Sequence, residues 1–162
     1  MMALGDAIAV TLMQMRGFTE LDFARLHPGG SLGRRLWLRV SELMHKGSEI
    51  PLSAPGDKLD KVLLEMTQKC LGLTVVIDKG TIQGVVTDGD LRRYFQNNRF
   101  NPEATASDLM TKNPKRILST GLALEARELM EKNSIHQLII VDESDKLLGV
   151  LHIHDLMRKK VL

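Results

Sequence analysis

Aromatic side chains and cysteine are scarce in this sequence of 162 residues. Phe, Trp and Tyr make up only 4% of it, so the core has to be built from Leu, Ile, Val and nine Met. The single cysteine, Cys70, excludes an intrachain disulfide and fits a reducing compartment. We therefore expect a cytoplasmic protein with an aliphatic core and an unreactive thiol at Cys70.

A strong charge of one sign and a long apolar run are also missing. The formal net charge is +2, which is too small to argue for nucleic-acid binding from electrostatics. The apolar stretch over residues 2–15 is too short to span a bilayer and contains Asp6. It also lacks the basic region that opens a signal peptide. We therefore expect neither a nucleic-acid nor a membrane partner.

The segment before Val40 predicts short helices and no strand. Apolar side chains at helical spacing over residues 4–15 predict one helix, and Gly17 suits the left-handed residue that ends it. A Thr-x-x-Asp pattern at residues 19–22 predicts a second helix that ends before Pro28. A third helix is predicted to run to about Leu38. Three short helices make a poor core, so this stretch resembles the end of a larger domain.

The rest of the chain contains an internal repeat. Ser41-Glu-Leu-Met44 recurs later in the chain as Ser107-Asp-Leu-Met110. A near-constant offset across different elements is hard to obtain by chance. We interpret residues 40–100 as the first copy and residues 106–162 as the second copy, joined by a linker at about 99–106. Further pairs at nearly the same offset are Met66/Met130, Gly84/Gly149 and Asp90/Asp155.

Each copy predicts the order helix–strand–helix–strand–strand–helix. An amphipathic helix over residues 58–69 matches one over 123–134, and a β-branched strand over 73–78 matches one over 137–142. The fold class is therefore α/β (α+β), with two halves that pack against each other. Their strands carry apolar side chains that one copy cannot cover alone, namely Val75, Val76, Ile139 and Ile140.

The clearest local motif is Gly84-Val-Val-Thr87-Asp-Gly-Asp90, an apolar strand that leads into a helix. A carboxylate can accept from both hydroxyls of a ribose, while a threonine hydroxyl and the N–H groups of a helix N-terminus suit a phosphate. Gly84 lets a ligand or a neighbouring backbone come close. However, Thr87-x-x-Asp90 is also a common helix capping box. The motif alone leaves both interpretations open.

The second copy keeps Gly149 and Asp155 but has His152 in place of the threonine. We expect the second capping box to be broken, which argues for a role of the aspartate beyond capping. His152 and His154 are expected on one strand, where they face opposite sides and cannot clamp a metal ion. No metal site is predicted, and the methionines at helical spacing are expected in the core.

The duplicated module with this G-x-x-T-x-x-D-L pattern resembles a CBS pair (Bateman module), a family that binds nucleotides in clefts between its two copies. The resemblance covers the chain from Val40 onward. It implies a first nucleotide site with Gly84, Thr87 and Asp90, and a second, altered site with Gly149, His152 and Asp155. It also places backbone near these clefts at Ile50–Leu52, Leu73, Ile117–Leu118 and His136–Gln137.

A second resemblance rests on His27-Pro-Gly-Gly-Ser-Leu-Gly-Arg34, preceded by Ala3-Leu-Gly-Asp-Ala-Ile-Ala-Val10. These segments resemble the end of the sugar isomerase (SIS) domain in bacterial D-arabinose 5-phosphate isomerases, which carry a CBS pair behind it. The resemblance implies interconversion of ribulose 5-phosphate and arabinose 5-phosphate for Kdo synthesis, with His27 as a catalytic histidine. Without the family, a lone histidine before proline is more often a helix-end residue.

By this resemblance, residues 1–39 are the remnant of a SIS domain whose sugar-binding half is absent, so the chain alone is expected to be inactive. The implied ligand is a regulatory nucleotide of the AMP or ATP type, or the nucleotide sugar CMP-Kdo, with no cofactor for catalysis. The intact parent would take a sugar phosphate, and CBS pairs would form a homo-oligomer. The alternative is a free-standing nucleotide sensor or dimerisation module without catalysis.

Overall fold

Two small β-sheets, each covered by helices, form the body of the protein from residue 37 onward. The computed structural model describes residues 2–18, 37–97, 101–159 and 161. Helix α1 (Met2–Met15) precedes this body, and Gly17 follows it with a φ of +61°, as the sequence predicts. The two further helices predicted between residues 19 and 38 lie, up to residue 36, outside the described residues. Every described helix falls short of the length and hydrophobicity that a bilayer crossing requires.

The two copies have matching elements in the predicted order, apart from one additional short strand in the second copy. The first copy has two 3₁₀ turns (Val40–Glu42 and Gly47–Glu49), β1 (Leu52–Ser53), α2 (Leu59–Lys69), β2 (Leu73–Asp78), β3 (Thr81–Thr87) and α3 (Asp88–Asn97). The second copy has α4 (Ala106–Leu109), β4 (Thr111–Lys112), β5 (Arg116–Leu118), α5 (Ala123–Asn133), β6 (Gln137–Val141), β7 (Leu147–His152) and α6 (Ile153–Arg158). The tandem α/β arrangement predicted from the repeat is confirmed.

Strand pairing joins the copies in a way that the repeat does not reveal. One sheet has the order β1-β2-β3-β4 and the other the order β5-β6-β7. Strand β4 belongs to the second copy by sequence, yet it pairs antiparallel with β3 at Gly84 and Val85. His45 of the first copy forms the equivalent antiparallel bridge to Val150 of β7. We call residues 40–45 and 106–112 the exchanged segments, because each completes the sheet of the other copy.

The core consists of three layers that follow from the alternation of side chains along β2 and β6. Val75 and Ile139 lie in the cluster between the two sheets. Val76 and Ile140 point the other way, toward the helices of their own copies. The exchanged segments contribute to the helix-facing layers, since Val40 packs in the second copy and Ala106 in the first. The prediction that the halves pack against each other is therefore confirmed, with alternate residues in different layers.

Gly84 and Gly149 make room for the exchanged segments. A Cβ atom at Gly149 would lie 2.6 Å from the carbonyl oxygen of His45 and 2.7 Å from Sδ of Met44. A Cβ atom at Gly84 would lie 2.7 Å from the carbonyl oxygen of Thr111 and 2.9 Å from Sδ of Met110. The close approach that these glycines permit is thus that of a neighbouring backbone.

We expect Gly149→Ala to destabilise the fold by about 1–3 kcal/mol, because the backbone of β7 and the His45 carbonyl cannot both keep their positions. Urea unfolding followed by circular dichroism measures the effect. Gly56→Ala is the matched control, since a Cβ atom there meets nothing within 4 Å. Equal free energies of unfolding for the two variants would contradict this account of the repeat's glycines.

Candidate functional site

A cleft of about 620 Å³ opens between the two copies, where β3 ends and α3 begins. Its walls come from three parts of the chain. The first copy supplies residues 72, 73, 85, 87–90, 92 and 93, the segment after α4 supplies 111 and 113–115, and the second copy supplies 133–137 and 139. Both copies and one exchanged segment therefore meet in a single cavity, which is large enough for a small molecule.

The cleft combines an apolar wall with charges of both signs. Leu73, Val85 and Ile139 form the apolar part, where the layer between the sheets reaches the surface. The acidic side chains are Asp88 and Asp90, and the basic ones are Arg92, Arg93 and Lys115. Such a lining suits a ligand with a flat apolar ring at one end and an anionic group at the other.

Asp90 is the most strongly bonded polar group of the cleft. Its Oδ2 atom accepts hydrogen bonds from the Thr87 amide (2.8 Å) and the Thr87 hydroxyl (2.5 Å). The Asp90 amide lies 3.2 Å from the same hydroxyl, which completes the capping box that the sequence allows. The Oδ1 atom accepts from the hydroxyl of Thr111 (2.7 Å) and from Nη2 of Arg93 (2.5 Å).

These bonds keep Asp90 ionised although it is buried. Burial by itself raises the pKa of the Asp90 carboxyl, but hydrogen bonds from Thr87, Thr111 and Arg93 outweigh it, so the pKa lies below its usual value. At neutral pH the cleft therefore holds a fixed carboxylate that can only accept hydrogen bonds.

The second copy builds a different arrangement around Asp155. Its Oδ2 atom accepts from the His152 amide (3.1 Å) and lies 3.1 Å from Nε2 of His45. Nδ1 of His152 accepts from the His154 amide at 3.1 Å. The prediction that this capping box is broken is wrong, because the imidazole nitrogen takes the place of the threonine hydroxyl at the start of α6.

Four histidines gather here, in what we call the histidine cluster: His45, His136, His152 and His154. The rings of His152 and His154 have centroids 4.6 Å apart. The prediction that these two face opposite sides is wrong, because the strand ends at His152 and His154 already belongs to α6. Burial lowers the pKa of His152, and the other members of the cluster lower it further, while Asp155 partly opposes them.

Several other sequence predictions can be located. Leu73, His136 and Gln137 line the cleft as expected, but Ile50 lies in the layer between the sheets and Ile117 packs against the core of the second copy. Arg92 and Arg93 of α3 both line the cleft. The proposed catalytic His27 lies outside the described residues.

Two further residues, Thr111 and His45, contact the two aspartates from across the fold and were not predicted from the sequence. A signal existed, since each residue directly follows its Ser-x-Leu-Met repeat. The repeat itself marks the exchanged segments, but their exchange depends on pairing between distant strands, which local patterns do not encode. Lys115 was missed as well, because it lies in a loop without a motif.

A family model described as CBS domain matches residues 40–97 and 106–161. The arabinose 5-phosphate isomerase KdsD of Yersinia pestis is 48% identical over 162 residues, which are 99% of this chain and 49% of that protein. The chain thus spans about half the length of the curated relatives it matches.

Solved structures share the fold at low sequence identity. A CBS domain protein from Pyrobaculum aerophilum complexed with AMP has a TM-score of 0.66 and 24% identity, covering 74% of this chain and 90% of its own. The CBS domain of a bacterial CNNM/CorC family Mg²⁺ transporter in complex with ATP has a TM-score of 0.67 and 19% identity, covering 81% and 92%. At these identities the likeness shows the common architecture alone.

The histidine cap predicts a pH-dependent stability. The folded chain disfavours protonation of His152, so the unfolded chain binds the proton more readily and stability falls as the pH drops below about 6.5. His152→Thr restores the residue of the first copy and caps α6 without a titrating group. Urea unfolding at about pH 8 and pH 5 should show a smaller acid loss for the variant than for the natural chain. Identical losses of unfolding free energy in the two chains would contradict the assignment of this pH dependence to His152.

Proposed function

The chain belongs to the CBS domain family, and we propose that its two copies form a regulatory module that binds a nucleotide in the cleft between them. The observation that carries the proposal is the fixed carboxylate of Asp90, which shares one cleft with an apolar wall and three basic side chains. A nucleotide offers a flat ring, a diol and an anion in that order. Two proteins of the same fold, one in complex with AMP and one in complex with ATP, support this ligand class.

In the proposed complex each part of the ligand has a matching surface. The base would lie on Leu73, Val85 and Ile139, with the ribose diol toward Asp90. The phosphate would face the start of α3 and the basic side chains of the cleft, while the Thr87 hydroxyl keeps its hydrogen bond to Asp90. We place this first site within copies that extend over residues 40–100 and 106–162.

The second site, with His152 and Asp155, is proposed as the weaker one. His45 lies against Asp155 in place of the threonine that contacts Asp90, and three further histidines stand nearby. A ligand diol would have to compete with an imidazole held by both Asp155 and Glu49. Roles for Gly84 and Gly149 in ligand binding stay predictions, because the exchanged segments already fill the space next to them.

For the longer protein we propose regulation of an arabinose 5-phosphate isomerase in the cytoplasm. Support comes from relatives of that name that match nearly all of this chain. Residues 1–39 would then be the end of the SIS domain, with His27 in its catalytic machinery and ribulose 5-phosphate as substrate. CMP-Kdo is a candidate effector because its carboxylate and phosphodiester suit the basic cleft. Its effect would require different affinities for two states of the enzyme.

The alternative remains a free-standing sensor or a dimerisation module. The upstream reading frame separates these, since an in-phase SIS domain supports the isomerase. Homo-oligomers through the CBS pair are part of either proposal, and their mass in solution can be measured with and without nucleotide.

Calorimetric titration with AMP, ATP, CMP and CMP-Kdo tests the nucleotide site. We expect saturable binding of at least one of these ligands. In Asp90→Ala the affinity should fall at least tenfold (roughly 1.5 kcal/mol or more), because several charge-assisted hydrogen bonds disappear together. Asp155→Ala is the matched control and should lose less. No heat with any of the four ligands, or a greater loss in Asp155→Ala, would overturn the proposal.

The 162-residue chain should not turn over ribulose 5-phosphate, because the proposed isomerase chemistry requires sugar-binding groups in addition to His27. A coupled assay for arabinose 5-phosphate with the purified chain measures this. A longer protein that includes the upstream frame is the positive control. Turnover by the shorter chain at a rate similar to that protein would refute the expectation.

A further inference from the structure

The carboxylate of Asp90 has no hydrogen-bonding capacity left in this structure. A carboxylate offers about four lone-pair positions, and Asp90 already receives two donors on each oxygen. A ribose diol can therefore reach Asp90 only if one of the present donors leaves. The identity of that donor decides how the site responds to its ligand.

The structure points to Arg93 as the donor that leaves. Both donors from Thr87 belong to the cap of α3, and Thr111 is held by the pairing of β4 with β3. The Arg93 side chain is 65% exposed, whereas the Asp90 side chain is 6% exposed. Arg93 is therefore the donor that water can solvate once it leaves, and a ribose hydroxyl can take its place on the buried carboxylate.

A displaced guanidinium would remain in the same cleft. Arg93 lines the cavity together with Arg92 and Lys115, neither of which has an ion-pair or hydrogen-bond partner for its side chain among the described residues. A nucleotide that brings its diol to Asp90 also brings its phosphate to this basic edge. The planar fork of Arg93 suits a phosphate as well as a carboxylate.

The second copy shows that this contact is not forced by helix geometry. Arg158 occupies the position equivalent to Arg93 in the helix that follows Asp155. Asp155 nevertheless receives its hydrogen bonds from His152 and His45, and within the described part of the chain Arg158 forms no ion pair with it. Arg158 is therefore a matched control: an arginine three residues after the aspartate that does not pair with it.

We propose that Arg93 occupies the diol position at Asp90 before a ligand binds and transfers to the ligand phosphate on binding, so that the site selects phosphorylated over unphosphorylated nucleosides. This rests on the proposed nucleotide site. A nucleoside has to displace Arg93 without giving it a new partner, whereas a nucleotide supplies one. Arg93 thus weakens the binding of a nucleoside and strengthens the binding of a nucleotide.

Calorimetry with two ligand pairs, adenosine with AMP and cytidine with CMP, tests the exchange. In Arg93→Ala we expect nucleotide affinity to fall by about tenfold or more, since a charge-assisted bond is lost. Nucleoside affinity should stay unchanged or rise, because the competitor for Asp90 is gone. Arg93→Lys should recover part of the nucleotide affinity, and Arg158→Ala should behave like the natural chain.

The outcomes separate the two proposals. A natural chain that binds neither AMP nor CMP overturns the exchange, and one that binds neither ATP nor CMP-Kdo as well overturns the proposed function with it. A natural chain that binds a nucleotide, together with an Arg93→Ala variant that loses nucleoside and nucleotide affinity equally, overturns the exchange alone. An Arg158→Ala variant that matches Arg93→Ala would also overturn it, since the effect would then reflect net charge.

Discussion

The close backbone contact between each last strand and the exchanged segment of the other copy is the constraint on which the structure depends. It requires glycine at positions 84 and 149, where a side chain would collide with a carbonyl oxygen and a methionine sulfur. The contact seats Val40 and Ala106 in the opposite cores. Neither copy can therefore complete its sheet or its core alone, so we expect the two copies to fold as one unit.

The same constraint creates the site and makes its two versions unequal. The residue that follows each Ser-x-Leu-Met segment contacts the aspartate at the start of the last helix of the other copy. That residue is Thr111 for Asp90 and His45 for Asp155. The hydroxyl of Thr111 bonds to Asp90 in a cleft that also holds a guanidinium and an apolar wall. In the second copy, the imidazole of His45 is the partner of Asp155. Two differences between the copies, Thr111/His45 and Thr87/His152, thus distinguish the cleft at Asp90 from the histidine cluster at Asp155.

Much of this arrangement could be predicted from local patterns. The amphipathic helix over 59–69 and the β-branched strand over 73–78 are encoded by side-chain period, so their positions agree closely with the prediction. The very short strand β4 could not be found this way, because its pairing partner β3 lies far from it in the sequence, on the other side of α3. The histidine cap was missed because Nδ1 as an N-cap acceptor has no pattern of its own. For the same reason, His154 was assigned to a strand that has already ended.

The proposed nucleotide would contact both copies and the exchanged segment at the same time. Hydrogen–deuterium exchange of the 162-residue chain, with and without AMP, ATP, CMP or CMP-Kdo, tests this contact most directly. We predict that at least one of these ligands slows hydrogen exchange at the same time in residues 87–93, 111–115 and 133–137. Slower exchange confined to one copy, or no change with any of the four, would contradict it.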